Sequence, residues 1–244
     1  MTTVVGITAG KGCEGIVLAS DLTGTRTELR PVSEGYLREE TKEQVPQKIY
    51  VAEGKGFAFA GAGLVDDLWT SFIYDLRTGK IDLRQALERG GWNVLPDIHL
   101  KRFKGYTWNH EGTNSLLIAS RLKLKPQKRA ISDPMLFTCF PLGKIETRFY
   151  TAIGSGSKHA LNYLADKGLD TRDPREISIY EAMGFVEGAL DAATSRDIYS
   201  GGLEMTVVTR TGIRTSEDII VEEQKLARQR SMARLRSRVK EILD

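Results

Sequence analysis

Threonine stands at position 2, directly behind the initiator methionine, and opens the run Thr2-Thr3-Val4-Val5-Gly6-Ile7. A small residue at this position exposes Met1 to removal, which would leave threonine as the new N-terminus. Its hydroxyl is a weak nucleophile alone, but the α-amine of the same residue can act as the adjacent base. That amine has a reference pKa of about 7.7–8.0, so it is largely protonated at neutral pH yet able to lose its proton. Taken alone, Thr-Thr-Val-Val equally well begins an ordinary β-strand, so the choice rests on the rest of the chain. Other chemistry-bearing types form no pattern. Cys13 and Cys139 offer neither a disulfide framework nor zinc spacing and read as packed thiols. His99, His110 and His159 are scattered, with no carboxylate or cysteine at ligand spacing. Neither a metal site nor a Ser-His-Asp arrangement is expected.

The elements that must position Thr2 are legible from periodicity. Thr3 to Ala9 and Gly15 to Ser20 are β-branched, apolar runs joined around Gly10-Lys11-Gly12, a hairpin signature. The polar stretch Leu22 to Gln47 reads as a long loop or an extended hairpin arm. Strands are expected at Lys48 to Ala52 and Phe57 to Ala60, with Glu53-Gly54-Lys55-Gly56 as the turn. Gly61-Ala62-Gly63 then leads into a helix whose Leu64, Leu68, Phe72 and Leu76 face a core. Gly90-Gly91 and Pro96 interrupt any long helix in the region that follows. Trp92, Phe103, Tyr106 and Trp108 are interleaved there with Lys and His; this suits a packed loop or subunit contact better than a single-stranded nucleic-acid platform. Strands return at Ser115 to Ser120, Met135 to Phe140 and Arg148 to Ile153, with a basic excursion from Arg121 to Pro134. Helices are expected at Lys158 to Asp166 and Ile177 to Arg196, the second with Tyr180, Met183, Val186 and Leu190 at helical spacing. Leu203 to Thr209 is a further strand.

The chain of 244 residues is long enough to bury a substantial core, and its 41 % hydrophobic content suits a globular protein. A net charge of +3 is too small to imply a nucleic-acid partner for the whole chain. No apolar run approaches the length of a membrane span, and no signal-peptide pattern opens the sequence. A cytoplasmic location is expected. The tail from Val221 to Leu243 reads as one basic amphipathic helix, with Leu235, Val239 and Ile242 beside a series of Arg and Lys. The expected organisation is a main domain over residues 1–220 and a helical extension over 221–244.

Several motifs, in order, carry a family resemblance. They are Thr2-Thr3-Val4-Val5-Gly6-Ile7, Gly15-Ile16-Val17-Leu18-Ala19-Ser20-Asp21, Gln47-Lys48-Ile49-Tyr50, Ala62-Gly63-Leu64-Val65-Asp66-Asp67, Gly154-Ser155-Gly156-Ser157 and Arg196-Asp197-Ile198-Tyr199-Ser200-Gly201-Gly202. Each is weak alone; together the chain resembles a proteasome β-type subunit, an N-terminal-nucleophile hydrolase, and the last motif is similar to active archaeal β subunits. The resemblance implies an α+β fold, a four-layer αββα sandwich. It implies Thr2, freed of Met1, as nucleophile, forming an acyl ester with a peptide carbonyl. Lys48 would favour the alkoxide, and Asp21 would hold Lys48. Ser155, Asp197 and Ser200 would surround the terminal amine. The N–H of Gly63 would meet the developing oxyanion, a contribution of about 3 kcal/mol in this class of site. Gly61 would leave the substrate pocket deep, and Val65 and Trp69 would line it with apolar surface, favouring a large apolar side chain over a basic one.

The function this implies is threonine-type endopeptidase activity on unfolded polypeptide, without a cofactor, in a homo-oligomeric ring. A proteasome α-type ring and a separate ATP-driven unfoldase are the partners that the resemblance suggests. Departures from the family pattern are the single residue ahead of Thr2 in place of a propeptide, the long Leu22 to Gln47 segment, the broken helix around Gly90 to Pro96, the Arg121 to Pro134 insert and the basic tail. Two other functions stay open on sequence: a transpeptidase or amidase on the same fold, since fold does not fix function, and a non-catalytic assembly subunit.

Overall fold

The computed structural model describes residues 2–10, 15–32, 35–44, 47–52, 54, 56–63, 67–89, 115–121, 134–139, 145–196, 202–215, 218, 221 and 225. The chain divides into two compact units, Met1–Ile213 and Arg214–Asp244.

In the first unit, strands β1 (Thr3–Ala9) and β2 (Gly15–Ser20) form an antiparallel hairpin with Val4 opposite Ser20. Nearly every residue of both strands is buried, which is why they read as continuous apolar runs and not as alternating ones. Strand β3 (Thr23–Val32) and β4 (Gly35–Gln44) pair antiparallel with each other as a ten-residue arm, the second of the two forms expected for that polar stretch. Strands β5 (Ile49–Ala52), β6 (Phe57–Ala62), β7 (Ser115–Ser120), β8 (Met135–Cys139) and β9 (Ile145–Arg148) form a second antiparallel sheet in sequence order. Strand β10 (Tyr150–Gly154) belongs to the first sheet, which runs β10-β1-β2-β11, where β11 is Glu204–Thr209. The single strand expected at Arg148 to Ile153 is therefore two. The chain bends at Phe149 and passes from one sheet to the other, a change that β propensity alone does not signal.

Strand alternation sorts the core. On β6, Ala58, Ala60 and Ala62 join a buried cluster with Val4, Ile16 and Leu18 of the first sheet, together with Leu117, Ala119 and Leu136 of the second. The alternate residues Phe57 and Phe59, with Leu116, Ile118, Phe137 and Cys139, pack against helices α1 (Asp67–Thr78) and α2 (Leu83–Arg89). On β6, small side chains thus face the neighbouring sheet and large ones face the helices, as the period of two requires. Phe72 and Leu76 are buried as expected; Leu64 lies outside the described residues. Helix α2 was not expected. Asp82 starts it by accepting the N–H of Gln85 at 3.2 Å, a side-chain cap of the usual kind.

Helix α3 (Ser157–Asp166) packs along β10, and α4 (Ile179–Thr194) along β1 and β2. Helix α4 starts at a capping box in which Ser178 and Glu181 satisfy each other's backbone N–H. Its buried face is Ile179, Ala182, Val186, Ala189, Leu190 and Ala193. Tyr180, expected on that face, is 55 % exposed, because it sits one residue, about 100° of helix, beyond Ile179. No helix among the described residues is long and apolar enough to cross a membrane.

In the second unit, Thr215 donates its N–H and hydroxyl to the Asp218 carboxylate at 3.0 and 2.8 Å, and Asp218 returns its N–H at 3.3 Å. This is a helix-start pattern, and Asp218, Val221 and Lys225 have helical backbone. The rest of the expected tail helix lies outside the described residues.

Candidate active site

The site lies where one end of the first sheet meets one end of the second. Thr2 immediately precedes β1 and Asp21 immediately follows β2, so the hairpin register brings them side by side. Asp21 donates its N–H to the Thr3 carbonyl at 3.1 Å, and its Oδ1 accepts the Thr3 N–H at 3.2 Å. Lys48 immediately precedes β5 in the second sheet and reaches across. Its Nζ donates to Thr2 Oγ1 at 2.7 Å and to Asp21 Oδ1 at 2.8 Å, and also to the carbonyl of Thr23. Thr2, Asp21 and Lys48 are 9 %, 0 % and 8 % exposed. A lysine this buried is unusual unless it is paired, and here three acceptors meet the three N–H groups of an ammonium. Two effects oppose each other on that amine. Burial lowers its pKa and is the larger, while the charge and hydrogen bond of Asp21 and the charge of Glu204 raise it; the balance falls below the ordinary lysine value.

Gly154 closes the arrangement from β10, opposite Thr3. It has φ +97°, and a Cβ built there would lie 1.6 Å from the carbonyl oxygen of Thr2 and 3.1 Å from Cβ of Ala62. Only glycine allows the backbone of β10 to come this near to Thr2. Two residues on, the Gly156 N–H donates to Thr3 Oγ1 at 3.0 Å. The arrangement holds a threonine hydroxyl within one hydrogen bond of a cation that is itself fixed by a carboxylate. Such a group can stabilise an alkoxide, or its neutral form can accept a proton.

A family model described as Proteasome subunit matches residues 130–208. A proteasome subunit beta of Nanoarchaeum equitans is 28% identical over 92% of this chain and 100% of its own length. Proteasome subunit beta 2 of Sulfolobus acidocaldarius is 29% identical over 91% of this chain and 95% of its own. A proteasome subunit beta of Haloferax volcanii is 28% identical over 87% of this chain and 75% of its own. The chain is thus similar to archaeal proteasome β subunits over most of its length.

The residues singled out from sequence divide into three groups. Thr2, Asp21 and Lys48 are brought together as described. Ser155 lies in the exposed turn between Gly154 and Gly156, next to the two glycines that touch Thr2 and Thr3. Gly61 is the fifth residue of β6, opposite Leu116, and Gly63 follows the end of that strand with φ +136°, a conformation that favours glycine. Val65, Asp197 and Ser200 lie outside the described residues, as does the side chain of Trp69, whose backbone is in α1.

Two further residues belong to the site that sequence reasoning does not single out. Thr3 ties the start of β1 to Asp21 and Gly156, a role hidden in what reads as a strand-opening threonine. Glu204 begins β11 opposite Ser20, and one of its carboxylate oxygens, Oε2, accepts the N–H of Lys48 at 2.7 Å and of Ile49 at 2.9 Å. No local signal marks it, since a glutamate at the start of a strand ordinarily faces water.

Proposed function

We propose that the chain is a threonine-type endopeptidase acting on unfolded polypeptide as the β-type subunit of a proteasome-like ring. The observation that carries this reading is the 2.7 Å contact from Lys48 Nζ to Thr2 Oγ1, with Asp21 Oδ1 2.8 Å from the same amine. In this reading Met1 is removed, and the α-amine of Thr2, directly or through a water, takes the hydroxyl proton as Oγ1 attacks a peptide carbonyl. Lys48 stays cationic beside the oxygen and stabilises its negative charge, held there by Asp21. The tetrahedral intermediate collapses to an acyl ester on Thr2 as the amine product leaves, and water then releases the acid.

Gly63 would supply an oxyanion N–H, and Ser155, Asp197 and Ser200 would surround the amine. Gly61, Val65 and Trp69 would form a deep, apolar first pocket. The cluster between the two sheets, and the helices packed against each sheet, support a four-layer αββα arrangement. Assembly with an α-type ring, an ATP-driven unfoldase as a separate partner, and a cytoplasmic location complete the proposal.

The test is the intact mass of the purified protein before and after a peptide epoxyketone, which traps a threonine hydroxyl together with its free α-amine. Loss of Met1 and one adduct per chain are expected, with the adduct absent from Thr2→Ala. Retained Met1 with no adduct would overturn the proposal.

A further inference from the structure

Glu204 stands in the first sheet, yet its bonds go to the second. Through Oε2 it accepts the backbone N–H groups of Lys48 and Ile49, at 2.7 and 2.9 Å, at the point where β5 begins. These N–H groups lie at the strand's open end, where Ile49 pairs with Ala60 and Lys48 precedes the ladder. The carboxylate therefore satisfies donors that the sheet does not, and it fixes the backbone from which the Lys48 side chain extends. Hydrogen bonds to an ionised acceptor are about twice as strong as neutral ones.

Its placement is set by strand pairing. Glu204 is opposite Ser20, Ser20 is opposite Val4, and Val4 is opposite Ile153. That row is one step from the row of Asp21, Thr3 and Gly154, so Glu204 approaches Lys48 from the side opposite Gly154. Among the described residues the charged groups that act on Lys48 are then Asp21, following β2, and Glu204 on β11. Tyr50 on β5 and Arg77 on α1 form the wider charge environment, Tyr50 being influenced by both Glu204 and Arg77.

We infer that Glu204 is a positioning residue for Lys48: it holds the lysine backbone through two N–H bonds and adds a second carboxylate, beside that of Asp21, to the field around the amine. The inference rests on the proposed Thr2 chemistry for its catalytic consequence, but not for its effect on Lys48.

Two variants separate the two actions. Glu204→Gln keeps an oxygen that can accept both N–H groups and removes the charge. Glu204→Ala removes both. In protein carrying 13C at lysine Cε, the Lys48 resonance, assigned by its loss in Lys48→Met, is followed by NMR across alkaline pH. Its midpoint is expected to fall in Glu204→Gln while the melting temperature stays close to that of the parent. An unmoved midpoint overturns the field. For epoxyketone trapping of Thr2, Glu204→Ala is expected to be slower by about tenfold or more, the size of effect when buried donors lose their acceptor. The loss should appear in the maximal trapping rate and not in the half-saturating concentration, and Glu204→Gln should recover much of it. Equal rates in Glu204→Ala and the parent overturn the positioning role. Failure of the parent itself to react would sink the Thr2 proposal, and the Lys48 titration would still decide the role of Glu204.

Discussion

Replacing Gly154 by alanine tests whether the approach of β10 to Thr2 sets the reactivity of the hydroxyl. Two costs arise and can be separated. The first is backbone strain, because alanine would have to adopt φ +97°; such residues cost about 1–3 kcal/mol. The second is steric. The new Cβ would fall 1.6 Å from the Thr2 carbonyl, and Cβ contacts below 3.0 Å essentially do not occur. One of the two backbones must therefore retreat by roughly 1.4 Å, and neither is a flexible side chain end. Where Thr2 takes up a movement of that size away from Lys48, its Oγ1 leaves the 2.7 Å contact and passes beyond hydrogen-bond reach.

Domains of this kind have about 5–15 kcal/mol of stability, so the variant should fold. Misplacing a reacting group by about 1 Å costs on the order of 100-fold in rate. Gly54→Ala is the matched control: φ is +73° there, and nothing lies within 4 Å of the added Cβ, so it carries the strain without the displacement. The assay is the rate of epoxyketone adduct formation at Thr2, with melting temperature measured on the same samples. Both variants should lose stability, and only Gly154→Ala should lose about two orders of magnitude in trapping rate. Parent-like trapping in Gly154→Ala, or equal loss in the two variants, would refute the argument that this contact positions Thr2.

Other consequences follow from the same structure. Lys48 has its pKa lowered by burial below 10.5, so the unfolded chain holds that proton more tightly than the folded one. Stability should therefore rise as pH climbs from the folded pKa to 10.5, and Lys48→Met should abolish this gain; identical alkaline denaturation series would contradict it. Glu181 is held down to about 2 by the N–H and hydroxyl of Ser178, with Arg172 assisting. Its stabilising effect is present above the ordinary value of 4.5 and is lost as pH falls toward about 2. In Ser178→Ala the acid decline in stability between those limits should be shallower, which urea midpoints across that range would show. Leu76 is fully buried between α1 and the second sheet, and Leu76→Ala should cost about 2–5 kcal/mol in urea unfolding while the Thr2 trapping rate is retained in the protein that stays folded.

The parts of the fold that were legible in the sequence are those whose cause is local. Strands β1 and β2 declare themselves through unbroken β-branched runs, and β6 through phenylalanines alternating with small residues. The buried stripe of α4 follows from its own spacing, although Tyr180 shows how one step around the helix reverses a residue's environment. What was not legible depends on pairing between distant segments. Nothing near Phe149 says that the chain changes sheets there. Helix α2 is only seven residues long, too short for its periodicity to stand out, and its start depends on the single carboxylate of Asp82.

The same division runs through the site. Thr2, Asp21 and Lys48 could be named together only by likeness to a family, because 18 residues separate Thr2 from Asp21 and a ten-residue-stranded arm separates Asp21 from Lys48. Glu204 lies 156 residues from Lys48, and its type argues for a solvated position. It is drawn into the site by two registers acting together, β11 on β2 and β2 on β1, which place its carboxylate against N–H groups that β5 leaves unused. A site assembled where two sheets meet at their ends is thus specified by strand pairing more than by any motif. Variants that disturb that pairing, as Gly154→Ala does, are therefore expected to disarm Thr2 without touching a titratable group.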